Sequence, residues 1–251
     1  MKEFETNKIY NANSLELMKE IPDNSVDLAF CDPPYNLDKA YNDHDDTMDE
    51  EEYVEWCNEW LAEYQRILKE DGSLVVVNIP RWAIHHADFL SERMYFHEWI
   101  SWDALSVPRG YMMPAHYSIL HFSNSPEVEI NEVESPQPRN WCIRPKCKEK
   151  QKELEKNEPL TEVWTDIHRV KHSGKRDNHP CQLPVKLMER IINLYTETGD
   201  TVIDCMVGTG TTAIASKKLG RKYIGIDIDE EYVEIAREKL KEVEPTLESF
   251  E

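Results

Sequence analysis

The stretch Asp32-Pro33-Pro34-Tyr35 places an acid, two prolines and an aromatic ring directly after an apolar run at residues 26–31. Two consecutive prolines fix φ twice and remove two backbone donors, and they push the preceding acid toward an extended conformation. The result is a stiff corner that holds a carboxylate, backbone carbonyls and a ring in a fixed relation. A chain that needed only to turn could use Asn-Gly. We therefore expect this corner to belong to a functional site.

A second stretch, DCMVGTGTT at residues 204–212, lies between a predicted strand and a predicted helix. Gly208 and Gly210 allow the backbone to approach a ligand closely and present amides at a helix N-terminus. The next predicted strand ends in Asp227, 17 residues after Gly210, where a carboxylate can accept hydrogen bonds from ribose hydroxyls. A tight turn with a capping acid is the purely structural alternative. Together the pieces predict an adenosine-containing cofactor.

The elements that must position these stretches alternate between strands and helices, which predicts an α/β fold with a mostly parallel sheet. The predicted strands are residues 26–31, 73–77, 95–102, 117–122, 201–205 and 222–227. The predicted helices are residues 50–69, 80–90, 184–195, 211–219 and 230–243. Between them, residues 124–178 carry many charges and few apolar runs, which predicts an inserted segment.

Composition is that of a globular protein, with 251 residues of which 40% are hydrophobic and 31% charged. No apolar run approaches the roughly 18 residues that a membrane span requires, and the N-terminal residues have no continuous apolar core of a secretory signal. We therefore expect a cytoplasmic protein with no membrane partner. The formal net charge of −20 is unfavourable for nucleic acid, but residues 135–178 hold eleven Lys/Arg against seven Asp/Glu, a local net of +4.

Three motifs in this order resemble the amino-group DNA methyltransferases that use S-adenosylmethionine. They are Asp32-Pro33-Pro34-Tyr35, His179-Pro180-Cys181-Gln182-Leu183-Pro184 and the glycine stretch at 204–212. Because the catalytic motif comes first and the cofactor motif last, the chain is similar to the permuted beta class. The resemblance implies a Rossmann-like methyltransferase fold with circularly permuted motif order. Its catalytic S-adenosylmethionine-binding domain would comprise residues 1–123 and 179–251, with 124–178 as an inserted target-recognition segment.

The resemblance also implies the roles of individual residues. The catalytic residues would be Asp32, Pro33, Pro34 and Tyr35. The cofactor site would consist of Asn13, Asp32, Gln182, Asp204, Val207, Gly208, Thr209, Gly210, Thr211, Thr212, Asp227 and Ile228. The expected reaction is methylation of adenine N6 in double-stranded DNA, at a base flipped out of the helix. The resemblance further allows a homodimer and a cognate restriction endonuclease encoded separately, the arrangement of restriction–modification.

The inserted segment carries the basic residues that we expect to contact DNA phosphates and base edges. They are Arg139, Arg144, Lys146, His168, Arg169, Lys171, His172, Lys175 and Arg176. Solvated surface charge is the alternative for each. Cys142, Cys147 and Cys181, with His179, His168 or His172 as a fourth ligand, could instead form a zinc site. The spacing is looser than in common zinc motifs, and we predict no metal.

Three other functions compete with adenine methylation. A cytosine-N4 methyltransferase would use the same fold, but in the resembled family Ser at the position of Asp32 favours cytosine. A nicotinamide-dependent oxidoreductase could use the same glycine turn, but it leaves Asp-Pro-Pro-Tyr unexplained. A catalytically inactive DNA-binding module would not need Asp32, Tyr35, Gly208, Gly210 and Asp227 together.

Overall fold

One eight-stranded sheet organises the chain in the computed structural model, which describes residues 4–39, 46–104, 115–133, 160–170 and 182–245. The strands are β1 (Lys8–Asn11), β2 (Val26–Cys31), β3 (Leu68–Asn78), β4 (Tyr95–Asp103), β5 (His116–Ser123), β6 (Val163–Trp164), β7 (Thr201–Asp204) and β8 (Lys222–Asp227). The helices are α1 (Ser14–Met18), α2 (Glu50–Ile67), α3 (Pro80–Ser91), α4 (Val185–Tyr195), α5 (Thr211–Lys218) and α6 (Glu230–Glu242).

The order of strands in the sheet is β1-β8-β7-β2-β3-β5-β4-β6. Neighbours from β1 to β3 are parallel, β5 runs antiparallel to β3 and β4, and β6 is parallel to β4. The predicted α/β class with a mostly parallel sheet is therefore confirmed. Because parallel strands end at the same edge, Cys31, Asp204 and Asp227 bring the three chain segments that follow them to one side of the sheet.

Helices cover both faces of this sheet. Helices α1, α2 and α3 bury their apolar faces on one side, where Trp60 and Tyr64 of α2 are fully buried. On the other side α4 packs its buried stripe against β2, β3 and β4. A smaller cluster joins α6 to β1, β8 and α5. Burial on both faces explains why β2 and β3 have continuous apolar runs rather than alternating ones.

The boundary between α2 and β3 differs from the sequence prediction. The helix was expected to continue to residue 69 and the strand to begin at Ser73, but the helix ends at Ile67 and the strand begins at Leu68. The reason is tertiary. Leu68 pairs with Val26, and the register shifts before Leu28 pairs with Ser73. At this irregularity a Cβ on Gly72 would lie 2.8 Å from the carbonyl oxygen of Asp27.

Three short elements were not predicted: β1, α1 and β6. Cys31, Cys57 and Cys205 are buried free thiols. Among the residues that the structure describes, no helix is both long enough and apolar enough to cross a bilayer.

Candidate active site

A cavity opens at the carboxyl edge of the sheet, where the segments after β2, β7 and β8 meet. It is lined by residues from several distant parts of the sequence: Asn13, Ser14, Leu15, Phe30, Asp32, Pro33, Pro34, Trp56, Trp60, Gln182, Leu183, Asp204, Cys205, Met206, Val207, Gly208, Thr209, Thr211, Thr212, Asp227, Ile228, Asp229 and Tyr232. The structure thus brings together three of the four predicted catalytic residues and all but one of the predicted cofactor residues.

Asp32 is the first residue after β2 and is partly exposed to this cavity. Its Oδ1 accepts a hydrogen bond from the hydroxyl of Tyr35. Removal from bulk water raises the pKa of Asp32 to about 8, and the nearby Asp204 carboxyl adds to this, while the Tyr35 hydrogen bond opposes it. A carboxyl with this pKa can either accept hydrogen bonds as an anion or take up a proton near neutral pH.

Tyr35, the fourth predicted catalytic residue, does not line the cavity. Its ring is buried and packs against Tyr117 with a centroid distance of 5.6 Å. Its hydroxyl is the donor to Asp32. The catalytic role of Tyr35 stays a prediction, and sequence reasoning missed its hydrogen bond to Asp32.

Asp204 ends β7 and is almost completely buried. Its carboxylate accepts from the amide of Met206 at 3.0 Å and from the hydroxyl of Thr212 at 2.6 Å. Burial raises the pKa of Asp204 to about 7, and those two hydrogen bonds oppose the shift. Asp204 therefore holds Met206 and Thr212, near the two ends of the glycine stretch, at the wall of the cavity.

Asp227 ends β8 and fixes the middle of the same stretch. Its Oδ2 accepts from the amide of Gly208 at 2.7 Å, and its Oδ1 accepts from the amide of Asp229 at 3.0 Å. Burial raises the pKa of Asp227 above its ordinary value. Asp32, Asp204 and Asp227 thus direct three carboxyl groups toward one cavity, which favours a ligand that carries positive charge.

Gly210 is the one predicted cofactor residue that does not line the cavity. It has a φ of +90°, and a Cβ there would lie 2.8 Å from the Cβ of Ala236 on α6. The glycine is needed for the backbone turn and for close packing of two helices. Gly208, by contrast, lies at the cavity wall with its amide held by Asp227.

Asn13 and Gln182 line the cavity from opposite ends of the chain. Asn13 caps α1, where its Oδ1 accepts from the amide of Glu16 at 3.3 Å. Gln182 lies two residues before Pro184, the N-cap of α4. The structure thus brings these two distant residues to one cavity, and their contact with the cofactor stays a prediction.

Sequence reasoning missed the aromatic wall that Trp56 and Trp60 of α2 and Tyr232 of α6 contribute. Trp56 and Trp60 follow the apolar stripe of an amphipathic helix, a pattern that predicts packing. That stripe does pack on the sheet, since Trp60 is fully buried. Only the tertiary arrangement shows that its end also borders the cavity.

Of the predicted inserted segment, residues 124–133 and 160–170 are described, and residues 160–170 lie against the sheet. Trp164 of β6 pairs with Trp102 of β4, and the indole Nε1 of Trp102 donates to the carbonyl of Ile167 at 2.7 Å. Asp166 forms an ion pair with Arg190 of α4. Strand β4 runs in the same direction as β3, and β6 is parallel to β4. The chain therefore leaves β6 toward the edge of the sheet that carries the cavity. His168 is exposed and Arg169 half-buried at that edge.

Several predicted residues lie outside the described ranges. They are Arg139, Arg144, Lys146, Lys171, His172, Lys175 and Arg176 among the DNA contacts and Cys142, Cys147 and Cys181 of the zinc alternative. Within the described ranges, no three His, Cys, Asp or Glu side chains are grouped as metal ligands.

Fold and site together are typical of an α/β enzyme that binds a nucleotide-containing cofactor beside an acidic corner. The N6_N4_Mtase family model, described as DNA methylase, matches residues 26–238, and the chain belongs to this family. The Type II methyltransferase M.BamHI of Bacillus amyloliquefaciens is 37% identical over 245 residues, covering 93% of this chain and 57% of that relative. The Type II methyltransferase M1.MboII of Moraxella bovis is 34% identical over 259 residues, covering 96% of this chain and 98% of that relative.

Solved structures agree with the fold. The M1.HpyAVI–SAM complex has a TM-score of 0.63 at 24% identity, covering 93% of this chain and 99% of that one. The PvuII DNA methyltransferase, named as cytosine-N4-specific, has a TM-score of 0.70 at 20% identity, covering 96% of this chain and 92% of that one. The predicted resemblance is confirmed, as are the enzyme class, a DNA methyltransferase, and its cofactor, S-adenosylmethionine.

Proposed function

We propose that this chain transfers a methyl group from S-adenosylmethionine to the N6 amine of adenine in double-stranded DNA. The observation that carries the proposal is the position of Asp32. Asp32 lines the cavity beside Pro33 and Pro34, and the glycine stretch that Asp204 and Asp227 hold lines the same cavity. The methyl donor and the target amine would meet at the Asp32 carboxyl.

The residues of the cavity fit the cofactor by their chemistry. S-adenosylmethionine, when bound, supplies a methyl group on a positively charged sulfonium centre. Asp32, Asp204 and Asp227 offer negative charge, and the Trp56 and Trp60 rings border the same space, where an aromatic face favours a cation. Asp227 is placed to accept from ribose hydroxyls, and Asn13 and Ile228 would border the adenine ring.

The target amine is a poor nucleophile because its lone pair is delocalised into the base. Two acceptors aimed at its two hydrogens, the Asp32 carboxylate and the carbonyl of Pro33, would draw the lone pair out of the ring plane and stabilise the positive charge that develops. The lone pair then forms the bond to the methyl carbon as the carbon–sulfur bond breaks. The nitrogen afterwards loses a proton, for which Asp32, with a pKa near 8, is a competent acceptor.

Residues 160–170 support a role of the inserted segment in binding DNA. They are anchored to the sheet through Trp164 and Asp166, and they present His168 and Arg169 at the edge that carries the cavity. The basic residues predicted on either side would extend this contact along the phosphates. We propose DNA as the macromolecular partner and restriction–modification as the setting, with a homodimer and a separately encoded endonuclease as further expectations.

The second candidate is methylation of cytosine N4, since the family joins both activities. Transfer of labelled methyl from S-adenosylmethionine to unmethylated duplex DNA, followed by nucleoside analysis, separates the two. N6-methyladenine supports the proposal. An N4-methylcytosine product would be consistent with the mechanism but would contradict adenine as the target base. Label on neither base would contradict methyl transfer to DNA and so overturn the proposal itself.

A further inference from the structure

The backbone that carries the catalytic corner is held by side chains that lie outside every motif considered above. The hydroxyl of Tyr53 on α2 donates to the carbonyl of Pro34 at 2.6 Å. The indole Nε1 of Trp82 on α3 donates to the carbonyl of Tyr35, also at 2.6 Å. Both donors are buried, and their rings pack against each other with a centroid distance of 4.5 Å.

Because of these two hydrogen bonds, the carbonyls of the corner differ in whether they already accept a hydrogen bond. Pro34 and Tyr35 each have a strong buried donor, whereas no group among the described residues donates to the carbonyl of Pro33. Pro33 lines the cavity beside Asp32. A carbonyl that already accepts a short hydrogen bond is a weaker acceptor for a further donor, so the carbonyl of Pro33 is the one available to an incoming amine.

A hydrogen bond from Asn78 sets the orientation of the Tyr53 hydroxyl. Asn78, the last residue of β3, places its Nδ2 at 3.3 Å from this hydroxyl and at 2.9 Å from the Nε2 of His86. Its Oδ1 accepts from the amide of Ile79, which assigns the donor role to Nδ2. Tyr53 therefore receives a hydrogen bond from Asn78 and directs its own proton to Pro34. Burial lowers the pKa of His86 to about 3, so its ring is neutral at neutral pH, and the Nδ1-protonated tautomer leaves Nε2 as the acceptor for Asn78.

The downstream side of the corner is fixed as well. The buried carboxylate of Asp46 accepts from the amides of Asn36, Leu37 and Lys39 at 2.7, 3.0 and 2.9 Å. The corner is thus held on its carbonyl side by two aromatic donors and on its amide side by one acid. Movement of the Pro33 carbonyl relative to Asp32 would require breaking several buried hydrogen bonds.

We propose that Tyr53 and Trp82 are positioning residues for methyl transfer, which hold the carbonyls of Pro34 and Tyr35 so that the carbonyl of Pro33 faces the target amine with Asp32. The inference rests on the proposed function of the corner, but it applies equally to adenine N6 and cytosine N4. Neither side chain touches the reacting atoms in this account. Each acts through the backbone that it holds.

The test uses Y53F and W82F, which remove the donor and keep an aromatic ring. The matched control is Y195F, since Tyr195 is a buried tyrosine whose hydroxyl donates at 2.7 Å to Glu98, away from the cavity. Thermal unfolding, the Kd for S-adenosylmethionine and the single-turnover transfer rate to duplex DNA are measured for each. We expect Y53F and W82F to slow transfer about 10-fold or more, with cofactor Kd within about twofold and unfolding shifts like that of Y195F.

A transfer rate of Y53F and W82F within twofold of the wild type would overturn the positioning role. So would an equal slowing in Y195F, because the loss would then follow stability rather than the corner. Nucleoside analysis of the wild-type product reports separately on the base. A cytosine product would contradict the proposed substrate while leaving the rate ratios as a valid test of Tyr53 and Trp82.

Discussion

The hydroxyl of Tyr35 donates a hydrogen bond to the Oδ1 of Asp32, three residues earlier in the chain. This bond links the acid and the aromatic residue of the Asp-Pro-Pro-Tyr corner across its two prolines. It stabilises the ionised carboxylate against the burial that raises its pKa to about 8. The aromatic residue of the corner is therefore coupled to the charge state of the acid, besides any contact that it makes with a base.

Replacing Tyr35 with Phe should shift the pH dependence of catalysis. The variant keeps the ring and loses the hydrogen bond that lowers the pKa of Asp32. In the proposed mechanism Asp32 accepts from the amine as an anion, so the acidic limb of the profile of kcat/KM should move to higher pH. The measurement is kcat/KM for Y35F and the wild type from pH 6 to 9.5. An unchanged limb would mean that Asp32 does not control it.

Binding of S-adenosylmethionine should strengthen as pH rises. In the free protein the carboxyls of Asp32 and Asp204 have pKa values of about 8 and about 7, and a cation favours their ionised forms. Affinity should increase at least about tenfold from pH 6 to 8 and level off above about pH 9, because protons are released on binding below the pKa. Titration calorimetry in buffers of different ionisation enthalpy measures both the Kd and the released protons.

The demethylated product, S-adenosylhomocysteine, is the matched control ligand for that experiment. It has a neutral thioether in place of the sulfonium, so its affinity should depend much less on pH. Equal pH dependence for both ligands would show that the charge of the sulfonium does not interact with Asp32 and Asp204.

The same two acids should also make the stability of the free protein depend on pH. The free energy of unfolding should fall as pH rises from about 4 to 8, since the carboxyls of the unfolded chain lose their protons near pH 4.

Replacing Gly210 with Ala should destabilise the protein more than the same change at Gly199. Both glycines have positive φ, +90° and +94°, but a Cβ at Gly210 would lie 2.8 Å from the Cβ of Ala236, whereas Gly199 has no atom within 4 Å of it. Both variants lose about 1 kcal/mol from the backbone conformation, and G210A should lose about 1–3 kcal/mol more from overpacking. Urea unfolding measures the difference, and equal losses would contradict it.

Replacing Arg169 with Ala should weaken DNA binding by an electrostatic mechanism. Arg169 follows β6 at the cavity edge of the sheet. If it contacts a phosphate, the slope of log K against log salt should fall in magnitude by about 1. K222A is the charge-matched control, because Lys222 begins β8 at the opposite edge. The same change of slope in K222A would assign the effect to net charge rather than to a contact.

Residue type and spacing were sufficient to predict the elements that meet at the cavity. Asp32, Asp204 and Asp227 each follow or end an apolar strand, and parallel strands must end at one edge, so local sequence determined their convergence. The boundary between α2 and β3 was not predictable in this way. Leu68 pairs with Val26 through an irregular register, and that pairing is a property of two strands rather than of the segment that contains Leu68.

Residues that support the site were harder to predict than residues that line it. Tyr53 and Trp82 follow the apolar stripes of ordinary amphipathic helices. The sequence of such a stripe is the same whether its aromatic residues only pack on a sheet or also donate hydrogen bonds to a loop. Asp46 lies in a run of acids with the composition of a solvated surface, yet it is buried against three amides. Such roles depend on contacts between distant segments, which composition and periodicity do not encode.

The central claim is that the Asp32 carboxylate acts on the target amine during transfer. Asp32→Asn keeps the size and shape of the side chain and removes its charge. We predict that D32N lowers the single-turnover rate of methyl transfer to duplex DNA at least about 100-fold, while the Kd for S-adenosylmethionine stays within about tenfold of the wild type. Transfer at the wild-type rate, or a loss of transfer that parallels a loss of cofactor binding, would contradict the account.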